Sequence, residues 1–405
     1  MTGGGSSAQL NFRLKSRLIR SCNQTKASGH LSRLGAKSKH RQRRCSEHAD
    51  HACVLRMPSL RRWAPCAVVS IPYSGPSCRD LRVPAIREEI EMTDGPKKFR
   101  ALLAKGGLIV APGVYDGYSA RLVEKAGYEM AATTGAGISN SLLGIDNIGV
   151  MGLSENVNHC RMLARTLSIP LTADADTGYG NPMNVHYTVQ MFEEAGLAGI
   201  NIEDQVHPKR CGHMPGKEVI PLVEGVKKIE AACLARRDDA FAIIARTDAL
   251  AIEGVDGMLQ RARAYAEAGA DMIFADAIRT EDQIKRLVDA ARVPVTVNMG
   301  FGIRVRPTTP LMSIKRLAEI GVRRVTLPRM LPAAAIHGMT RALEVMKEAI
   351  ASGEPADRPD VVVDIDAILR LMDYDGMREL ERRLLTTGAI ETKYGLAGET
   401  SQAAR

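Results

Sequence analysis

The sequence lacks the features that mark several classes of protein. Beyond residue 91, no stretch approaches the roughly 18 consecutive apolar residues of a membrane-spanning helix. The three cysteines of this part of the chain, Cys160, Cys211 and Cys233, are too few and too widely spaced for a disulfide framework. These absences predict a soluble, cytoplasmic body in a reducing compartment.

Acidic residues are scarce near the N-terminus. Residues 1–80 hold 15 Lys and Arg residues against 3 Asp and Glu residues, whereas the whole chain has a net charge of +9. The basic character therefore belongs to this segment. Because it shows no sustained apolar period, we predict that residues 1–91 form a disordered extension and that the folded body begins at Met92. An organelle-targeting segment and a nucleic-acid-binding tail stay open as alternatives.

The body alternates short apolar runs with amphipathic stretches. The runs are too short for buried helices, and several are rich in Val, Ile or Thr, which is typical of strands. Eight such units predict an α/β fold, a (β/α)8 barrel of the TIM type over residues 92–350, followed by a C-terminal helical segment and tail over residues 351–405. A doubly wound open sheet is the alternative, disfavoured because no Gly-x-Gly-x-x-Gly follows the first strand candidate. The strand candidates cover residues 108–116, 129–135, 170–176, 199–205, 241–248, 272–278, 293–299 and 323–329.

Polar side chains recur at the C-terminal ends of the strand candidates. In a barrel these ends converge on one rim, where the active sites of this architecture lie. Loop solvation or helix capping explains Asp116, Asp204 and Asp248 equally well. The polar residues at the strand ends are Asp116, Asp174, Asp176, Glu203, Asp204, Arg246, Asp248, Asp276, Asn298 and Arg329.

Three carboxylates are expected on adjacent strands of this rim. Asp174 and Asp176 lie two residues apart on the same side of one strand, and Glu203 ends the next. Acids this crowded repel each other unless a cation lies between them. Oxygen ligands without His or thiolate suit Mg²⁺ or Mn²⁺, which would act as a Lewis acid. The sequence therefore predicts a divalent-metal site.

Groups that bind anions lie at the same rim. Arg246 can bind a carboxylate bidentately. The backbone amides of residues 133–137 can bind another, because glycine permits a close approach. The implied substrate is a small, multiply charged carboxylate.

A cationic run surrounds one cysteine in the stretch "IEDQVHPKRCGHMPGK", residues 202–217. Lys209, Arg210 and His213 would stabilise the thiolate of Cys211. The glycines of the run would let the loop hinge over the rim as a lid. An ordinary solvated loop is the alternative, and a zinc site is weaker because only two ligands are present.

The motifs "TADADTGYGNP", "GINIEDQVHPKRCGH", "IIARTDA" and "VTVNMGFG" resemble those of the isocitrate lyase/phosphoenolpyruvate mutase superfamily. The resemblance covers residues 95–350. Its Lys-Arg-Cys-Gly-His run is typical of the carbon–carbon lyase branch, and the short body is most similar to the 2-methylisocitrate lyase and 2,3-dimethylmalate lyase group. The implied roles are metal binding by Asp146, Asp174, Asp176 and Glu203, catalysis by Lys209, Arg210, Cys211 and His213, and substrate binding by Thr134, Gly135, Arg246, Asp276 and Asn298.

The resemblance implies a Mg²⁺-dependent retro-aldol cleavage. A substituted 2-hydroxy di- or tricarboxylate would give pyruvate and a carboxylic acid, with Cys211 protonating the carbanion and Asp146 or Tyr115 as the hydroxyl base. An oxaloacetate decarboxylase or a phosphoenolpyruvate mutase on the same barrel is the alternative. Tricarboxylate lyases of this type usually carry Glu at the position of Asp276, and Arg304 and Arg306 are additions. These departures leave the substrate open.

The resemblance also implies an assembly. It suggests a homotetramer in which the C-terminal helices, about residues 358–387, exchange between neighbouring barrels. The expected partners are a small-molecule carboxylate and further copies of the chain, without nucleic acid or membrane.

Overall fold

The computed structural model describes residues 94–306 and 308–394. The predicted extension over residues 1–91 and the tail beyond residue 394 lie outside the described residues. Within those two ranges, no helix is both long and apolar enough to cross a membrane.

Eight parallel strands form a closed barrel, in which each strand pairs with its neighbours in sequence and the first pairs with the last. The prediction of a (β/α)8 barrel is confirmed, and the open sheet is wrong because the ring of strands has no edge. The strands are largely apolar, since helices cover the outside and side chains fill the inside. They are β1 (Ile109–Val114), β2 (Ala131–Thr133), β3 (Leu171–Asp174), β4 (Gly199–Glu203), β5 (Ala242–Thr247), β6 (Met272–Ala275), β7 (Val295–Asn298) and β8 (Arg324–Leu327).

Helices form the outer layer and extend the chain beyond the barrel. Among the described residues, one helix precedes β1, two separate β2 from β3, and four follow β8. The last three fall within the predicted C-terminal helical segment. The helices are α1 (Gly95–Lys105), α2 (Gly117–Lys125), α3 (Gly135–Leu143), α4 (Leu153–Thr166), α5 (Pro182–Glu194), α6 (Leu222–Ala235), α7 (Leu250–Glu267), α8 (Glu281–Ala291), α9 (Ile314–Ile320), α10 (Met330–Ser352), α11 (Ile365–Leu371), α12 (Tyr374–Leu384) and α13 (Thr387–Tyr394).

A side chain of α1 closes the N-terminal end of the barrel. Phe99 is fully buried in one cluster with Ile109, Ala242 and Met272, each at the start of a strand. Burying a phenylalanine contributes about 1.5–3 kcal/mol relative to leaving it in water. The opposite end of the barrel, where the strands finish, is thereby left as the open rim.

An arginine lies inside the barrel, below the rim. Arg324 is fully buried and donates to the hydroxyls of Thr172 and Thr296, both at 3.1 Å, and to Asn201 Oδ1 at 3.4 Å. Among the described residues, no carboxylate lies within ion-pair distance of it. Burial lowers the pKa of Arg324 to about 9. The interior beneath the rim is therefore polar and bears positive charge.

The helix after the last strand presents an apolar stripe to solvent. Its large side chains recur at intervals of three and four residues, which places them on one helix face. Each is more than half exposed. The stripe consists of Ile336, Met339, Leu343, Met346 and Ile350.

Candidate active site

The pairing of β3 with β4 brings the predicted carboxylates together. Asp174 pairs with Asn201 in the strand register, so the ends of β3 and β4 lie side by side. The Glu203 amide donates to the Asp176 carbonyl at 2.9 Å, and the Asp176 amide donates to Asp174 Oδ1 at 3.2 Å. Asp176 adopts a left-handed backbone conformation with φ of 47°, which turns the chain after the strand.

A lysine from the cysteine loop neutralises the buried acids. Lys209 Nζ lies 2.6 Å from Asp176 Oδ1 and 3.9 Å from Glu203 Oε1, and all three side chains are buried. Burial raises the pKa of Asp176, and it raises that of Glu203 to about 8 despite the opposing positive charge of Arg246 and Lys209. Burial alone would lower the pKa of Lys209, but the neighbouring carboxylates outweigh it and raise that pKa.

Arg246 is engaged by three carboxylates. Its guanidinium contacts Glu203 Oε2 at 3.1 Å, Asp248 Oδ2 at 2.8 Å and Asp276 Oδ2 at 3.3 Å. Asp276 also accepts from Asn298 Nδ2 at 3.2 Å. Burial opposes ionisation of Asp276, but Arg246 and the other nearby cations lower its pKa below the usual value. Arg246 thus holds the rim acids in place, and its positive charge is compensated by these carboxylates.

The start of α3 supplies backbone donors. Thr134 caps this helix by accepting from the Gly137 amide at 3.1 Å, so the first amides of α3 point toward the rim cavity without helical partners. Such a helix end favours an anion, and Gly135 and Ala136 at this end line the rim cavity. Glycine is required at position 135, because a Cβ there would lie 2.7 Å from Asp174 Oδ2.

The cysteine loop folds back over the rim. Gln205 and Val219 form a bridge at its base, and Lys217 Nζ donates to the Gly212 carbonyl at 2.8 Å and to Asp248 Oδ1 at 2.9 Å. A Cβ on Gly212 would lie 1.5 Å from an Asp276 oxygen. Only glycine therefore permits this approach of the loop to the rim.

The cation beside the thiol is an arginine that follows β8. Arg329 Nη2 donates to Cys211 Sγ at 3.2 Å. Of the cations predicted to surround the thiol, Lys209 is directed to Asp176, and Arg210 is exposed. His213 accepts at Nε2 from Arg306 Nη1 at 2.7 Å.

The ring of His213 is held neutral by its partners. Since a guanidinium can only donate, Nε2 is the acceptor, and Nδ1 therefore carries the proton that faces Thr308 Oγ1 at 2.9 Å. Burial lowers the pKa of His213, and Arg306 lowers it further, while Asp276 raises it.

Most of the predicted site residues share one cavity of about 60 Å³. Asp176 and Glu203 lie beside it, in contact with Lys209 and Arg246. Asp146 and Arg210 are exposed and do not line it. The predicted residues that line it are Thr134, Gly135, Asp174, Lys209, Cys211, His213, Arg246, Asp276 and Asn298.

Asn147 and Arg329 are among the cavity residues to which the sequence assigned no role. Asn147 is buried and lines the cavity, whereas its neighbour Asp146 uses a carboxylate oxygen to accept from the Asn147 amide at 2.7 Å. The strand-end position of Arg329 was the available signal for the second residue. Of the strand-end acids that capping could explain, Asp116 does cap a helix, accepting from the Ser119 amide at 2.8 Å.

The acids fit a divalent cation that keeps its water. Asp176 Oδ2 is buried and accepts no hydrogen bond from the described residues. Across residues 94–306 and 308–394, no three Asp, Glu, His or Cys side chains are arranged to hold a metal ion directly. Magnesium commonly binds through one or two carboxylates and retains several waters. The carboxylate of Asp174 in the cavity, with Asp176 and Glu203 beside it, matches that mode.

The chain belongs to the phosphoenolpyruvate phosphomutase family, whose model matches residues 99–347. It is 36% identical over 302 residues to the probable 2-methylisocitrate lyase 2 of Corynebacterium glutamicum, covering 74% of this chain and 95% of the relative. The predicted membership of the isocitrate lyase/phosphoenolpyruvate mutase superfamily is confirmed, and with it the prediction of an enzyme.

Solved structures of the superfamily share the fold. The crystal structure of 2,3-dimethylmalate lyase, a member of this superfamily, matches with a TM-score of 0.65 and 32% identity, over 71% of this chain and 95% of that one. A phosphonopyruvate hydrolase in complex with oxalate and Mg²⁺ matches with a TM-score of 0.63 and 31% identity, over 72% and 99% of the two chains. Relatives with different reactions therefore share this barrel.

Proposed function

We propose that the protein is a divalent-metal-dependent carbon–carbon lyase. It cleaves a substituted 2-hydroxy di- or tricarboxylate to pyruvate and a carboxylic acid. The observation that carries the proposal is the position of Cys211, which lines the same cavity as Asp174 and the first residues of α3. An acid donor, an oxygen ligand and an anion-binding helix end thus face one space.

The metal is proposed to be Mg²⁺, with Mn²⁺ able to replace it. Asp174 would hold it, and Asp176 and Glu203 would hold its waters. When bound, it supplies Lewis-acid polarisation of the substrate's oxygens. The buried, unpartnered Asp176 oxygen and the Mg²⁺ in the related phosphonopyruvate hydrolase complex support this assignment.

The chain's own groups account for the remaining chemistry. The Gly135 amide at the start of α3 binds the carboxylate on C2, since the Thr134 amide already donates to the Val114 carbonyl at 3.1 Å. The 2-hydroxyl gives its proton to a base, for which Asp146 and Tyr115 are the candidates, as the C2–C3 bond breaks, and the electron pair moves to C3 and its carboxylate. Cys211 then gives its sulfhydryl proton to C3. Of the two bases considered for the hydroxyl, Tyr115 lines the larger cavity beside Cys211, and Asp146 is exposed.

The exposed stripe on α10 supports the proposed assembly. Five large apolar side chains on one helix face would be covered by the exchanged C-terminal helices of a second copy. A homotetramer would bury this face and complete the surroundings of the rim.

A product assay tests the proposed reaction. The purified protein with Mg²⁺ is offered 2-methylisocitrate, isocitrate, 2,3-dimethylmalate, oxaloacetate and phosphoenolpyruvate, each alone. Pyruvate, or glyoxylate in the case of isocitrate, formed in equal amount to a carboxylic acid supports the lyase. Carbon dioxide from oxaloacetate, or phosphonopyruvate from phosphoenolpyruvate, without any cleavage of the substituted malates would instead indicate the decarboxylase or the mutase.

A further inference from the structure

Two arginines at the rim have no carboxylate partner. Arg246 contacts three carboxylates, whereas Arg306 and Arg329 have none within 4 Å among the described residues. Both belong to the loops that follow β7 and β8, on the side of the rim that holds Cys211. Their positive charge is therefore available to a bound anion.

Arg306 is buried in spite of this. It is 9% exposed, and its Nε is buried and donates to no group of the described residues. Its other nitrogens donate to neutral acceptors, namely His213 Nε2 at 2.7 Å, Thr309 Oγ1 at 2.9 Å and the Asn298 carbonyl. Burying a cation without a direct ion-pair partner costs free energy. An anionic ligand would remove that cost.

Arg329 is likewise bound to neutral groups. One terminal nitrogen donates to Cys211 Sγ at 3.2 Å, and the other donates to Asn140 Oδ1 at 3.4 Å. Arg329 and Cys211 line both the rim cavity and a larger adjoining cavity, and Arg306 lines the larger one. The two arginines thus lie at the junction of the two spaces, next to the thiol.

The larger cavity is mainly apolar away from the arginines. Its volume of about 630 Å³ lies in the range of small-molecule sites. Tyr115, Met214, Phe301 and Pro332 contribute apolar walls. Ile336 and Met339 of the α10 stripe line the outer side, so a helix exchanged onto the stripe would close the cavity there. A further carboxylate placed against these walls would lose its hydration without gaining a partner. Alkyl groups would gain by burial there.

We propose that Arg306 and Arg329 form a carboxylate site beside Cys211, and that its ligand carries an alkyl chain longer than methyl. Guanidinium groups bind carboxylates through paired hydrogen bonds, and the cavity has room for the chain beyond them. This inference rests on the proposed function, in which the carboxylate is the one attached to C3, the carbon that Cys211 protonates. The substrate class is then a 2-hydroxy dicarboxylate with an alkyl substituent on C3, and a tricarboxylate is disfavoured.

The test measures protection of Cys211 from alkylation, which needs no turnover. The full chain with Mg²⁺ is treated with iodoacetamide, and modification of Cys211 is followed by peptide mass analysis. Propionate, butyrate, valerate and succinate are the protecting acids. Each added methylene from propionate to valerate should lower the half-protecting concentration about fourfold, and succinate should protect less well than butyrate.

Variants identify the binding groups. Arg306→Ala and Arg329→Ala should each raise the half-protecting concentration of valerate about tenfold or more, since hydrogen bonds to charged groups are lost. Arg304→Ala is the matched control and should leave it unchanged, because Arg304 lies two residues from Arg306 and is exposed. Each variant is compared with its own unprotected alkylation rate, and thermal melting verifies its fold.

Three results would overturn the proposal. The first is that valerate protects Arg306→Ala and Arg329→Ala as well as it protects the Arg304→Ala control. The others are better protection by succinate than by butyrate, and no protection by any acid. The product assay fails or succeeds separately. Arginine-dependent protection without pyruvate formation would support the carboxylate site and contradict the lyase. Pyruvate formation without arginine-dependent protection would support the lyase and contradict the carboxylate site.

Discussion

Lys209 and Asp176 form an ion pair of 2.6 Å in which each side chain is only 1% exposed. The pair joins the cysteine loop to the end of β3. It therefore links the loop that carries the proposed acid donor to the proposed metal-binding carboxylates. We expect the loss of this ion pair to lower the stability of the fold.

Removing the lysine alone should be strongly destabilising. Lys209→Met leaves the Asp176 charge buried and uncompensated, which commonly costs about 3–5 kcal/mol. The measurement is the free energy of unfolding in urea. The Lys209→Met/Asp176→Asn double variant should recover part of the loss, because no buried charge then lacks its partner.

An exposed pair provides the control for this experiment. Lys105 and Glu129 are 2.8 Å apart, but their side chains are 68% and 57% exposed. Lys105→Met should change the stability by less than about 1 kcal/mol. If Lys209→Met were as stable as Lys105→Met, Lys209 and Asp176 would not form a buried pair of ionised groups.

The thiol should matter for turnover and not for metal binding. Cys211→Ser should lower kcat at least about 100-fold, the usual minimum for losing a positioned proton donor. Its affinity for Mg²⁺, measured by calorimetry, should stay unchanged, since sulfur is not among the proposed ligands. Cys233→Ser is the control, because Cys233 lines neither cavity. Full activity of Cys211→Ser would remove the thiol from the mechanism.

The metal-free protein should lose stability as the pH rises. Burial raises the pKa of Glu203 from 4.5 to about 8 in the folded chain. The folded state therefore binds more protons than the unfolded state between these values, and the free energy of unfolding falls with increasing pH across that window. Urea unfolding with a chelator at pH 5 to 8.5 measures this slope. Glu203→Gln should flatten it, and parallel curves for the two proteins would contradict the assignment.

The apolar stripe on α10 should determine the oligomeric state. Leu343→Glu places a charge in the centre of the stripe and should convert the proposed tetramer to smaller species in light scattering. Glu348→Lys, an exposed change five residues after Leu343 and therefore on a different face of the same helix, should leave the tetramer intact. A wild-type protein that is monomeric at micromolar concentration would contradict helix exchange.

The barrel and the place of its acids could be predicted from the sequence because both follow from periodicity. Eight short apolar runs separated by helical patterns admit few arrangements, and the ends of parallel strands must meet at one rim. Asp174 and Glu203 were therefore expected to be neighbours. The structure bears out their proximity through the pairing of β3 with β4.

The pairing of charges across the rim could not be predicted in the same way. Arg329 and Cys211 are 118 residues apart, and only closure of the barrel brings them within 3.2 Å. Which of two adjacent residues faces the cavity depends on loop dihedral angles, so that Asn147 lines the cavity where Asp146 was expected. The contacts of Arg246 with three carboxylates likewise depend on side-chain directions, which the spacing of residues in the sequence does not determine.

Deuterium incorporation during turnover in D₂O tests the central claim most directly. A sulfhydryl exchanges with solvent, so a proton delivered by Cys211 to C3 appears as one deuterium on that carbon. The prediction is equal amounts of pyruvate and a carboxylic acid carrying one deuterium beside its carboxylate, formed only when Mg²⁺ or Mn²⁺ is present. A carboxylic acid without deuterium, or equal turnover in the presence of a chelator, would contradict the account.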